Sequence, residues 1–203
     1  VPIHASTQMS IHSLEGVQQA AELGVSRVVL ARELSRDEIA HICRRSPVDI
    51  EVFVHGALCM CYSGQCYLSA MIGGRSANRG TCAQACRLPY TLRDEDTDTE
   101  LSAPGDRLLS PKDLCTIDML PKLAETGVDS LKIEGRMKEP AYVANVVKRY
   151  RKALDEGADQ VEREALQKTF NRTYTEGYMF GEDPGSITNI KRPNNFGYEI
   201  GTV

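Results

Sequence analysis

No run of eighteen or more apolar residues occurs in this 203-residue chain, so no segment reads as a membrane span. No charged-then-apolar leader pattern opens it at Val1, so no secretory signal is read there. The H-E-x-x-H pattern is missing, which leaves a zincin-type peptidase without its helix-borne zinc ligands. G-x-S-x-G is missing too, and with it the nucleophile elbow of a serine hydrolase. One local absence is more telling. Between Val52 and Arg93 there is no Asp, Glu or Lys, whereas Arg75, Arg79, Arg87 and Arg93 are present. The net charge of −4 means the surface as a whole is no trap for a polyanion, but a local basic patch of this kind can still bind phosphate.

What the carboxylate-free segment does contain is cysteine. Cys59, Cys66, Cys82 and Cys86 fall at C-x6-C-x15-C-x3-C. A positive field lowers thiol pKa, and the thiolate is the form that binds metal or attacks. Three readings follow. Four thiolates suit a 4Fe–4S cluster, whose spacing is permissive and whose charge suits a basic, glycine-rich wrapping. Zinc sites favour C-x2-4-C pairs, which only Cys82–Cys86 satisfies. The third reading is four buried thiols acting as small hydrophobes. One helical turn would set Cys82 and Cys86 on one face. Cys61 would point away from Cys59 along an extended chain. Cys43 and Cys115 read as helical, Cys43 as a core residue and Cys115 as a reserve ligand. Seven cysteines is an odd number, and the chain is too long for a disulfide mini-scaffold, so reduced thiols and a cytoplasmic location are expected.

At 203 residues, 41% hydrophobic and 26% charged, the chain has the bulk of one globular domain. Val1–Met9 reads as a strand. Ser13 caps a helix carrying Leu14, Val17 and Ala21 that stops at Gly24, and Val25–Arg32 reads as a strand. Ser35 and Glu38 form a capping box for a helix burying Ile39, Ile42 and Cys43. Asp49–His55 reads as the next strand. After the polar loop at 94–100, Ser110 and Pro111 predict a helix with Leu114, Ile117, Leu120 and Leu123 on one face, ending at Gly127. Val128–Ile133 is again a strand. Pro140 opens a helix to about Glu156 with Val143, Val146, Val147, Tyr150 and Leu154 inward. The echo between Ala21–Val25 and Ala124–Val128, each a helix end running into a strand, indicates parallel βα units. The expected fold is α/β: the C-terminal half of a (β/α)8 TIM-type barrel with an inserted cysteine-rich segment at 56–93. Residues 1–160 are expected to form this partial barrel, and 161–203 a linker and the start of a C-terminal β-barrel domain, with Phe196–Val203 as a strand. With no initiator Met and both ends reading as strands, the chain is expected to be a fragment of a longer protein.

Other constellations are weaker. Glu134 and Arg136 follow a strand, at the end where a βα barrel does its chemistry, though a surface ion pair would look the same. Glu51 and His55 occupy the preceding strand. His55 lies four residues before Cys59, so a peptidase dyad is conceivable. His4, His12 and His41 read as surface or capping residues. D-E-D-T-D-T-E at 94–100 mimics the start of an EF-hand loop but has Thr99 where the turn glycine belongs. Arg75, Arg79 and Arg87 could fork onto carboxylates or phosphates.

Four segments together carry a family resemblance: Glu51–Cys59 (E-V-F-V-H-G-A-L-C), Tyr62–Ser69 (Y-S-G-Q-C-Y-L-S), Asn78–Arg87 (N-R-G-T-C-A-Q-A-C-R) and Ser130–Lys138 (S-L-K-I-E-G-R-M-K). They closely resemble the signature of peptidase family U thirty-two, the collagenase-like proteases. Phe170–Arg172 with Thr175–Tyr178 looks like that family's junction into a small β-barrel. Beyond a title of protease, the resemblance implies oxygen-independent RNA hydroxylation. Some members make 5-hydroxyuridine in tRNA with prephenate as hydroxyl source, and others hydroxylate a cytidine of ribosomal RNA. Related proteins hydroxylate the ubiquinone ring and carry 4Fe–4S clusters. By resemblance, Cys59, Cys66, Cys82 and Cys86 are the cluster ligands, Cys86 being the position that varies among members. Glu134, Arg136 and His55 become catalytic candidates at the barrel mouth. Arg75, Arg79 and Arg87 become candidates to hold RNA or a small dicarboxylate co-substrate. The rivals from other classes are a peptidase using Cys59 and His55, and a zinc-stabilised RNA-binding module.

Overall fold

The computed structural model describes residues 1–136, 138–195 and Gly197. The strand expected at the end of the chain therefore lies, Gly197 apart, outside the described residues, as does Met137 of the Ser130–Lys138 motif.

Strands β1 (His4–Ala5), β2 (Arg27–Val29) and β3 (Asp49–Ala57) lie side by side and parallel. Helices α1 (Leu14–Glu22) and α2 (Arg36–Cys43) connect them. Both helices start where local chemistry says they should. The Ser13 hydroxyl accepts from the Gly16 N–H, and Ser35 and Glu38 close a reciprocal capping box. The expected first strand shrinks to two residues, because the chain turns through a short 3-10 helix at Thr7–Met9.

After β3 the chain runs through the cysteine segment, with one short helix, α3 (Leu68–Gly73). It returns as β4 (Asp113–Cys115), α4 (Leu120–Ala124) and β5 (Ser130–Ile133). Strand β5 pairs parallel with β3, so β1, β2, β3 and β5 are four parallel strands in chain order. Strand β4 pairs antiparallel with the last residues of β3, and β6 (Tyr174–Thr175) adds parallel to β4. The result is a mixed α/β fold with a mostly parallel sheet.

The helix expected from Ser110 is thus corrected: its first half is a strand. The Thr116 N–H donates to the Val54 carbonyl at 3.1 Å, and this cross-strand pairing outweighs the local i, i+3 pattern of Leu114 and Ile117. Cys115 is accordingly on a strand, not a helix.

Helix α5 (Pro140–Glu156) matches its expected span, and α6 (Gln160–Gln167) packs beside it. Its buried stripe is Tyr142, Val146, Tyr150 and Ala153, while Val147 and Leu154 are exposed. The stripe keeps strict 3.6-residue spacing, which leaves those two at its edge. Leu166 and Met179 join the same core.

The sheet has two unlike faces. Ile50, Val52 and Val54 point into the main core beneath the helices. The opposite face carries Arg27, Glu51, Ser130 and Lys132, with Phe53 among them. Glu51 is fully occupied there, meeting Arg27 at 3.4 Å, Lys132 at 3.1 Å and Ser130 at 2.9 Å.

A cysteine-lined candidate site at the carboxyl ends of the parallel strands

The segment from Leu58 to Arg87 is moored to the loops that leave the carboxyl ends of the parallel strands, where open α/β sheets bind ligands. After β1, the Ser10 hydroxyl donates to the Ser63 carbonyl, and Gln65 reaches back to Ser10 at 3.1 Å. Gly64, at φ +76°, sits so tightly on the Gln8 backbone that a Cβ would collide with its carbonyl oxygen. After β2, the Arg32 N–H donates to the Ser63 hydroxyl at 3.1 Å, and Glu33 accepts from the Ser63 N–H at 2.9 Å. After β5, the Arg136 guanidinium lies against Gly80. Where β3 ends, Gly56 has φ +111° and the Glu134 backbone fills the place of a side chain.

Arg87 locks the segment from beneath. It is buried, and it donates to the Ser110 hydroxyl at 2.9 Å, the Leu58 carbonyl at 3.1 Å and the Pro111 carbonyl. This corrects the expectation that Arg87 holds substrate: its donors are spent inside the protein. Arg75 and Arg79 are exposed, with the Arg75 Nε donating to the Thr81 carbonyl at 2.9 Å.

The thiols have identifiable partners. Arg32 places a guanidinium nitrogen 3.0 Å from the Cys59 sulfur while stacking on the Phe53 ring at 4.6 Å. The Cys82 sulfur accepts from the Gln84 N–H at 3.3 Å and the Ser69 hydroxyl at 3.7 Å. Burial pushes the Cys86 thiol up; Arg87 opposes this, and Cys59, Cys82 and Cys66 are all close enough to repel its charge. The expected lowering of thiol pKa by arginine is therefore reversed at Cys86, where desolvation wins. The helical turn expected from Cys82 to Cys86 is not formed, since Gln84 takes a left-handed conformation and only Ala85–Arg87 makes a single 3-10 turn. Cys61 does not point away from the group: its thiol meets that of Cys66 and is pushed up by burial and by that neighbour. Cys115 faces elsewhere, toward the Tyr150 hydroxyl at 3.7 Å, and burial raises it to about 11. Cys43 packs against the core as expected.

Among the described residues, no three His, Cys, Asp or Glu side chains converge to hold a single metal ion. An iron–sulfur cube asks for something different, because each thiolate binds its own iron and the four sulfurs surround a volume. Here Cys59, Cys66 and Cys82 all lie within electrostatic reach of Cys86, and N–H donors are aimed at the Cys59 and Cys82 sulfurs. Arg32, on the Cys59 sulfur, is the residue of this site that the sequence reading did not single out. It lies 27 residues from Cys59, and only its position just past a strand end could have flagged it.

Glu134 and Arg136 reach this end of the sheet. The Glu134 N–H donates to the His55 carbonyl at 2.8 Å, and its carboxylate accepts from the Arg136 N–H at 3.1 Å. His55 does not line the mouth. It is 1% exposed, among Tyr142, Tyr150 and Tyr174, with ring centroids 5.4–6.1 Å away. Its Nδ1 faces the Tyr150 hydroxyl at 3.3 Å and its Nε2 is buried without a partner. Burial drives its pKa down to about 3, so the ring is neutral. No hydrogen bond links it to Cys59, and the dyad is not assembled. His4, His12 and His41 are exposed, and 94–100 is a solvated turn in which Asp94 caps Thr97 and Arg93 pairs with Asp98.

Behind the cysteines lies a second charged layer. Arg172 and Asp113 form a buried ion pair at 3.1 Å, and Arg172 also reaches Gln84 at 3.2 Å. Lys138 sits over the Phe170 ring, and burial, with Arg172 nearby, lowers its pKa to about 8.

Fold and site together define a mixed α/β protein with a cysteine-lined centre at the carboxyl edge of its sheet. The model of Peptidase family U32 matches residues 1–189, and the chain belongs to that family. It is 40% identical to the 23S rRNA 5-hydroxycytidine C2501 synthase of Escherichia coli (strain K12), over all of this chain and 33% of that protein. It is 45% identical to tRNA hydroxylation protein P1 of Bacillus subtilis (strain 168), over 83% of this chain and 41% of the relative. It is 41% identical to a collagenase of Porphyromonas gingivalis (strain ATCC BAA-308 / W83), over 93% and 50% respectively. The chain thus spans between a third and a half of the length of these relatives. No solved structure matches it. Among the described residues, no helix is long and apolar enough to cross a membrane.

Proposed function

We propose that this chain is the metal-binding part of an RNA-hydroxylating enzyme, with Cys59, Cys66, Cys82 and Cys86 as ligands of a 4Fe–4S cluster. The observation that supports the reading is the mooring of the cysteine segment at the strand ends, with the Arg32 guanidinium on the Cys59 sulfur and Cys59, Cys66 and Cys82 near enough to act on Cys86. Relatives named for rRNA and tRNA hydroxylation support RNA as the substrate class. When bound, the cluster would supply one-electron chemistry.

The remaining roles belong to side chains. Arg32 donates to the Cys59 sulfur, and the Gln84 N–H donates to the Cys82 sulfur. Arg87 fixes Leu58, and with it the start of the cysteine segment. Glu134 and Arg136 stand at the rim, where they can orient a base. Replacing a base C–H by C–OH withdraws two electrons, so a small acidic donor such as prephenate is part of the proposal. The same reading takes the four parallel strands as part of a (β/α)8 barrel and the cysteine segment as its insertion, in a reduced, cytoplasmic setting. Cys86, not Cys115, is the fourth ligand, because Cys86 lies with the other three thiols.

The test is iron and acid-labile sulfide in full-length protein purified without oxygen. About four of each per chain is expected. Each Cys→Ala variant should lose iron and fail to add oxygen to its RNA nucleoside, whereas Cys115→Ala should keep both. Stoichiometric zinc in place of iron, or iron retained in all four variants, refutes the ligand set.

A further inference from the structure

The outer face of the cysteine segment is unusual for a surface. Tyr62 is 74% exposed and Tyr67 63%, and Met71 and Ile72 of α3 are also exposed. Arg75, Arg79 and Arg136 are exposed on the same segment or against it. Hydrogen bonds bring these turns together. The Asn78 amide donates to the Gly64 carbonyl at 3.1 Å, which sets the turn carrying Arg79 beside the turn carrying Tyr62. Tyr67 starts α3, and Arg75 closes it, with its N–H on the Ser69 carbonyl at 3.2 Å. Arg136 lies against Gly80, next to Arg79.

Charge decides what such a face can accept. Residues 52–93 contribute no carboxylate. Glu33 and Glu134, the acids at its edges, are held by Ser63 and by the Arg136 N–H. Aromatic rings offered to solvent among arginines, with no competing acid, are the elements of a single-strand nucleic-acid platform, in which bases stack on rings and cations track phosphates.

We propose that Tyr62, Tyr67, Arg75, Arg79 and Arg136 form a docking surface for single-stranded RNA. This deepens the proposed function and rests on its RNA reading. Bases stack on the two tyrosines, and the arginines lead the backbone across the rim where Glu134 stands.

The experiment uses full-length protein and a fluorescein-labelled, unstructured twelve-nucleotide RNA of mixed sequence, with affinity read by anisotropy at several salt concentrations. Tyr62→Ala and Tyr67→Ala should each weaken binding by about tenfold, and the Phe variants should restore it, because stacking needs the ring and not the hydroxyl. Arg79→Gln and Arg136→Gln should each flatten the salt dependence by about one phosphate contact. Arg151→Gln, which removes an exposed cation of α5 paired with Asp155, should change nothing, and iron content should stay at the wild-type value in all variants. If both tyrosine→Ala variants bind RNA as tightly as wild type, the surface is wrong while the RNA reading survives. If wild type has no affinity for RNA, the RNA reading falls and the surface with it. If the tyrosine variants instead dissolve a self-association of the protein and leave RNA affinity alone, the face is a protein interface and the proposal fails.

Discussion

Asp113→Ala should destabilise the protein by about 3–4 kcal/mol, a value worked from the contacts of a single carboxylate. Asp113 is at the start of β4 with its side chain 3% exposed, and Arg172 opposite is 7% exposed. One Asp113 oxygen accepts from the Arg172 guanidinium at 3.1 Å and the other from the Arg172 backbone N–H at 3.1 Å. Two hydrogen bonds to a charged group, at about 1.5–3 kcal/mol each, put the loss at about 3–6 kcal/mol. The cost of leaving one member of a buried pair unmatched is about 3–5 kcal/mol by direct comparison. The lower part of the range applies, because the stranded guanidinium keeps the Gln84 side chain and the Pro193 carbonyl at 2.8 Å. A loss of that size is a large share of the roughly 5–15 kcal/mol a domain possesses. Urea unfolding followed by far-ultraviolet circular dichroism gives the number directly. The Asp113→Leu/Arg172→Met double variant should recover most of the loss, since it buries no unpaired charge. A loss below about 1 kcal/mol in Asp113→Ala, or a double variant no better than the single, would refute the reasoning.

Two further predictions concern the sheet and its edge. His55 has an ordinary pKa of 6.5 and a folded value of about 3, so below pH 6.5 the unfolded chain binds a proton that the folded chain does not. Its contribution is present above pH 6.5 and is lost as pH falls toward 3, at up to about 1.4 kcal/mol per pH unit. Urea midpoints at pH 7, 6 and 5 should fall in wild type and fall less in His55→Phe; parallel curves would contradict this. With the proposed cluster bound, Arg32→Met should leave the iron and sulfide content intact yet lower the reduction potential, because the guanidinium at the Cys59 sulfur stabilises the reduced, more negative cluster more than the oxidised one. Arg32→Lys should restore part of the shift, and an unchanged potential in Arg32→Met would show that the contact is merely structural.

Where structure is set by neighbours in the chain, the sequence reading and the fold agree. The Ser13 cap, the Ser35–Glu38 box and the Pro140 start are each decided within four residues, so they could be read directly. The repeated helix-to-strand junction foretold parallel strands, and the carboxylate-free cysteine segment foretold a basic, thiol-rich surface. The Ser110 helix failed for the opposite reason. Leu114, Ile117, Leu120 and Leu123 keep helical spacing, but the first of them pairs with a strand that ended over fifty residues earlier. Arg87 and His55 were misjudged because burial, which residue type alone does not reveal, converts an arginine from a phosphate fork into a clamp on Leu58, and a histidine from a base into a neutral core residue. Residue order alone thus determined the short-range elements and the inventory of thiols and cations. Which thiols meet, which arginine touches sulfur and which arginines face solvent were decided only when the loops after β1, β2, β3 and β5 came together. Those contacts join residues tens of positions apart, and their energies depend on a desolvation that no short window of sequence contains.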